Sequence, residues 1–120
     1  MSASKLVIQE RDEGEVTVLT LTGEITLDDG DLLFRRRVHN LIERGRVKLV
    51  VDLAGVMFID SAGVGMLAAK LKTLREHGGD LRLSRISKRG QRLLGTMKIL
   101  VTFEKFDDDV SAVASYGRPA

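Results

Sequence analysis

The chain has no cysteine, no tryptophan, one proline, one tyrosine and four phenylalanines in 120 residues. Without cysteine there is no disulfide and no thiolate metal site, which suits a reducing compartment. So few aromatics leave little with which to build stacking platforms for single-stranded nucleic acid, and nucleic acid is not an expected partner. Long hydrophobic runs are also missing. The stretch from Val47 to Ile59 is broken by Lys48 and Asp52, and nothing approaches the ~18 apolar residues of a membrane span. The opening "MSASKLVIQERDE" has no basic segment leading into a long apolar one, so export is not expected and the cytoplasm is the expected location. Charge of one sign is absent too: 19 Lys and Arg stand against 17 Asp and Glu. Two basic clusters, Arg35 to Arg37 and Ser84 to Arg92, read as solvated faces, with docking to an acidic protein surface as the other reading.

What remains is the composition of a soluble globular domain, 43% apolar and 30% charged. One core is expected over residues 1–120, its ordered part about 5–114, with 115–120 as a frayed tail. Lys5 to Gln9 and Val16 to Leu21 read as strands joined by a turn at Gly14, a hairpin that Gly23 closes. Val16, Val18, Leu19 and Leu21 point to a core. Thr26 or Asp28 is a candidate cap for a helix carrying Leu33, Phe34, Val38, Leu41 and Ile42 at helical spacing, with Gly45 past its end. Arg46 to Leu53 reads as a buried, parallel-type strand. A second helix runs from about Ser61 to His77. A short strand holds Leu81 and Leu83, Ser87 caps a third helix, Ile99 to Phe106 holds a last strand, and Asp107 to Asp109 open a helix through Ala114. Strand–helix alternation after a hairpin predicts an α/β domain: a mixed, mostly parallel sheet of about five strands with about four helices.

The chemistry concentrates in "FIDSAGVG", Phe58 to Gly65, at the junction of a strand and a helix. Gly63, Gly65 and Ala68 fit G-x-G-x-x-A. But the predicted strand ends at Leu53, too far from Gly63 for a dinucleotide fingerprint, and only 57 residues follow Gly63. A hydrolase elbow needs Gly two residues before the serine, where Ile59 stands. His39 and His77 read as helix-surface residues rather than general bases. No P-loop pattern occurs, so no cofactor or metal is implied. For Ser61 the plain reading is a helix cap, by its hydroxyl or by the Asp60 carboxylate, worth about 1 kcal/mol. A cap leaves Ala62, Gly63 and Gly65 unexplained, since each helical glycine costs roughly 1 kcal/mol relative to Ala. Small residues at a helix N-terminus make a flat surface a partner can approach, and the dipole there tolerates a phosphate.

"TGEI", "LVVDLAGVMFIDSAGVGML" and "GGDLRLSRISKRGQRLL" together resemble STAS-domain proteins, in particular bacterial anti-sigma factor antagonists. The resemblance implies a phosphorylation site at Ser61. It implies a partner surface formed by Asp60, Ser61, Ala62, Gly63, Val64 and Gly65, with Thr26 and Asp28 from the preceding loop. Ala62 stands where the family often has a second hydroxyl, and Thr26 where it often has Asp. The implied partners are an anti-sigma factor that is also a serine kinase and a phosphatase for the modified form. The chain itself would be substrate rather than enzyme, a monomer or weak dimer. The competing expectation is a constitutive scaffold subunit of a signalling or transport assembly, in which Ser61 only caps the helix.

Overall fold

The computed structural model describes residues 6–26, 29–96 and 103–117. In chain order the elements are β1 (Leu6–Glu13), β2 (Val16–Ile25), α1 (Asp29–Glu43), β3 (Lys48–Ile59), α2 (Ser61–Glu76), β4 (Asp80–Ser84), α3 (Lys88–Thr96), β5 (Lys105–Phe106) and α4 (Asp109–Ser115). The predicted order of elements holds. Asp28 and the Ile99 to Thr102 part of the predicted last strand lie outside the described residues. The five strands form one sheet in the order β1-β2-β3-β4-β5. β1 and β2 pair antiparallel through a turn in which Gly14 takes φ +64°, and every other pair is parallel.

Period-two alternation sends neighbouring side chains to opposite faces of the sheet. Leu19, Leu21, Leu49, Val51, Leu81 and Leu83 join Phe34, Val38 and Leu41 of α1 and Val64, Leu67, Leu71 and Leu74 of α2 in the main core. Val16, Val18 and Val50 turn to the other face, under Ala112 of α4. The apolar residues of β2 therefore serve two cores rather than one. With both faces covered, the Leu49 to Val51 part of β3 can be continuous in aliphatic residues.

Three expectations need correction. Of the expected tail, 115–117 are described and are held in place: the Tyr116 hydroxyl donates to Leu49 O (2.6 Å) and Asp80 O (2.9 Å), and the Arg82 guanidinium lies 4.0 Å over its ring, while 118–120 lie outside the described residues. Burial, with the Asp80 charge beside it, pushes the phenol well above its ordinary pKa, so it remains a donor. Nor does Gly23 end β2, which continues to Ile25. And β3 does not stop at Leu53; it runs on to Ile59 through "DLAG". Pairing with β2 steps from Thr20↔Asp52 to Thr22↔Gly55, and again from Gly23↔Val56 to Glu24↔Phe58. Each step inserts one extra residue in β3, so turn-like sequence is absorbed as bulges.

Asp52 sits at the first bulge, fully buried, where its carboxylate accepts Ala54 N–H at 3.0 Å. Arg85, just beyond β4, closes on it: Nε lies 3.2 and 3.1 Å from the two carboxylate oxygens, and Nη2 donates as well. Burial alone would raise the Asp52 pKa. Hydrogen bonds from Arg85 and Ala54 and the Arg85 charge outweigh it and hold the group below its usual value. A carboxylate depressed in the folded state stabilises above its unfolded pKa of about 3.9, and that contribution is lost as pH falls through the folded value. Arg85→Gln leaves the carboxylate enclosed without its cation. Its folded pKa then rises, stability at pH 7 falls, and acid unfolding starts at higher pH. Circular dichroism across a pH titration reads this, and an unmoved acid midpoint would show that the pair contributes nothing.

Candidate functional site

The sheet delivers the serine segment directly. Ile59, the last residue of β3, pairs with Ile25 at the end of β2, and Asp60 N–H donates to Ile25 O at 3.3 Å. Asp60 has extended backbone (φ −100°, ψ 178°) and is the N-cap of α2; its Oδ1 accepts Gly63 N–H at 2.7 Å, and its carbonyl accepts Val64 N–H at 3.0 Å. Of the two groups that could cap the helix, the carboxylate does so. Ser61, the first helical residue, is exposed, and its hydroxyl makes no hydrogen bond among the described residues. A hydroxyl free of structural duty, at the positive end of a 16-residue helix, is accessible to chemistry.

The two glycines do different things. A Cβ on Gly63 would stand 2.4 Å from Ile25 O and 3.0 Å from side-chain carbons of Ile25 and Ile59, so this glycine lets the helix seat against the strand ends. Around Gly65 nothing lies within 4 Å of a Cβ, and the residue is exposed. Within the expected contact surface, Gly63 and Val64 are buried and face inward, whereas Ser61 and Gly65 are open and Asp60 and Ala62 half-buried. Thr26 directly follows Ile25, which pairs with Ile59, and so lies beside this segment. Its Oγ1 is enclosed and has no hydrogen-bond partner among the described residues, so it does not cap α1.

Sequence reasoning missed two residues. Met57 is 82% exposed and Phe58 41%. Met57 is the extra residue of the second bulge and has no counterpart on β2. A bulge re-aims side chains, and "VMFI" gave no sign that its middle would face water. Met57, Phe58, Ser61 and Gly65 are the exposed residues of the stretch from Met57 to Gly65.

The longer β3 removes one of the two grounds against dinucleotide binding, since the strand ends only four residues before Gly63. A stronger reason replaces it. Asp60 places a carboxylate on the first-turn N–H that a pyrophosphate would need. The histidines stand apart from the site. His77 is the C-cap of α2, at the helix end opposite Ser61 and about 24 Å from it by helical rise. His39, on α1, contacts Lys70 Nζ through Nε2 at 2.9 Å. Among the described residues no group of three or more acidic or histidine side chains could hold a metal ion, and no helix is long and apolar enough to cross a membrane.

A five-stranded sheet with one antiparallel edge, and a serine at the β3–α2 junction, define a class of domain. The STAS domain profile matches residues 7–112, and the chain belongs to that family. The anti-sigma F factor antagonist of Paenibacillus polymyxa is 24% identical over 99 residues, covering 82% of this chain and 84% of that protein. The anti-sigma-B factor antagonist of Bacillus subtilis (strain 168) is 31% identical over 84 residues, covering 70% of this chain and 74% of that protein. Among solved structures, the anti-sigma factor antagonist SpoIIAA in its unphosphorylated form superposes with a TM-score of 0.71 at 19% identity, over 94% of this chain and all of that one. The Bacillus cell fate determinant SpoIIAA in its phosphorylated form gives 0.73 at 19% identity, over 92% and 99%.

Proposed function

We propose that this protein is an anti-sigma factor antagonist whose docking is switched by phosphorylation of Ser61. Unmodified, the surface around Ser61 and Gly65, with Asp60, Ala62 and Thr26 at its edge, binds an anti-sigma factor and so releases a sigma factor. The anti-sigma factor is also the serine kinase and brings its own ATP and Mg²⁺. A phosphatase restores the free hydroxyl. The observation that carries this reading is the division of labour at the N-terminus of α2: Asp60 caps the helix, which leaves the Ser61 hydroxyl exposed and without a hydrogen bond among the described residues. The two relatives named above carry the name anti-sigma factor antagonist, and SpoIIAA exists in a phosphorylated form.

Phosphotransfer here is nucleophilic attack by Ser61 Oγ on the γ-phosphorus of ATP, with ADP leaving and the hydroxyl proton passing to a base of the kinase. The chain contributes an unencumbered nucleophile and a helix end that accepts the product dianion. The test is incubation with the cognate anti-sigma kinase and ATP, followed by mass spectrometry. One added phosphoryl group is expected, located in the peptide that contains Ser61, and none on the Ser61→Ala protein. Phosphate incorporated equally by Ser61→Ala would show the site to be elsewhere. No incorporation at all, with stable co-purification in a larger assembly, would favour a constitutive scaffold.

A further inference from the structure

A cavity of about 160 Å³ lies between the last residues of β3 and helix α3. Val56, Phe58 and Ile59 of β3, Val64 of α2, and Leu93 and Leu94 of α3 line it. It exists because β4 stops pairing with β3 at Asp52↔Ser84, while β3 runs on to Ile59. Beyond that point Arg85, at φ +55°, turns the chain away, and α3 stands across a gap from the strand. An apolar cavity of about 150 Å³ stays dry and takes up a ring the size of benzene, so this one suits an apolar group on the order of six to eight carbons.

The cavity also has a polar side, of one sign. Ser87 and Arg89 belong to its lining, and among the described residues no carboxylate does. Ser87 Oγ accepts Gly90 N–H at 3.0 Å, which leaves its own O–H to donate outward. Arg89 is exposed and has no ion-pair partner among the described residues. Lys88 lies on the same turn, and the first turn of α3 carries no acid to oppose its dipole. An apolar chamber with a guanidinium and a hydroxyl donor selects a molecule with one hydrophobic body and one anionic head.

We infer that this cavity is a binding site for a medium-chain fatty acid, with the alkyl chain between β3 and α3 and the carboxylate held by Arg89 and Ser87. The inference does not depend on phosphorylation of Ser61. Its location still matters to that segment: Ile59 and Val64, both in the wall, bracket Asp60 and Ser61 in sequence. An occupant therefore touches the chain on both sides of the β3–α2 junction.

The probe is sodium octanoate, added below its micellar range to the isotopically labelled full chain and followed by amide chemical shifts. Saturable shifts are expected at Val56, Ile59, Val64 and Leu93. Octylammonium, with the same chain and the opposite charge, should bind more weakly. Arg89→Glu should weaken octanoate by at least about tenfold and reverse the preference between the two heads, as expected where one charged contact fixes the ligand. Arg89 is exposed and unpaired among the described residues, so the variant folds, which its amide spectrum will verify. Shifts that grow without saturating, or that fall away from the cavity, overturn the site. Equal binding of both heads, unchanged in Arg89→Glu, overturns the assignment of an acid as its ligand.

Discussion

Ser61→Asp is expected to weaken docking on the anti-sigma factor by about a hundredfold, while leaving the melting temperature unchanged or slightly higher. The two effects differ because the same charge meets different surroundings. In the free protein, a carboxylate on the first residue of α2 sits in water at the positive helix end, where it contributes about 0.3–1 kcal/mol. In the complex it is pressed against a partner, beside Asp60, and loses its hydration, at a penalty of several kcal/mol unless cations compensate. Since each ~1.4 kcal/mol is a factor of ten in affinity, about 3 kcal/mol of uncompensated penalty yields the hundredfold. Phosphoserine carries nearly twice the charge and should do at least as much. Ser61→Ala should keep both fold and affinity, because its hydroxyl caps nothing. Isothermal titration with the purified anti-sigma factor, paired with thermal unfolding of the free protein, separates the terms. Undiminished affinity of the folded Ser61→Asp protein would mean that this residue stays outside the interface.

Much of the fold was legible because its signals are local. Glycines past the helix ends, aliphatic runs at periods of two and 3.6, and acids ahead of α2 and α4 marked most elements near their observed positions. The errors share one cause: tertiary partners override local propensity. "DLAG" looks like a turn, but Asp52 is engaged by Arg85 from 33 positions away, and the extra residues are absorbed as bulges in β3 against β2. Tyr116 looked like part of a loose tail because the carbonyls that hold it belong to Leu49 and Asp80. At the site, the sequence marked the junction and the serine. Periodicity could not reveal that Gly63 faces inward and Met57 outward, because both follow from the bulge and from the close approach of Ile25.

That asymmetry between the glycines carries the last prediction. Gly63→Ala places a methyl group 2.4 Å from Ile25 O, a backbone atom held in place by β2–β3 pairing. Overpacking of this kind costs about 1–3 kcal/mol, since neither the helix nor the strand can yield alone. The gain in helix propensity, up to about 1 kcal/mol for Gly to Ala, offsets only part of it. Gly65→Ala meets open space and keeps the whole of that gain, so it should raise stability by up to about 1 kcal/mol. Two substitutions identical in chemistry, two residues apart on one helix, should therefore move the denaturation midpoint in opposite directions. Docking adds the second axis. If Gly65 is kept small so that a partner can approach, Gly65→Ala gains stability and loses affinity together, whereas Gly63→Ala loses affinity only as far as α2 is displaced. A Gly65→Ala protein that is more stable and docks as well as the parent would remove Gly65 from the interface and leave Ser61, with Asp60, Ala62 and Thr26 at its edge, to define it.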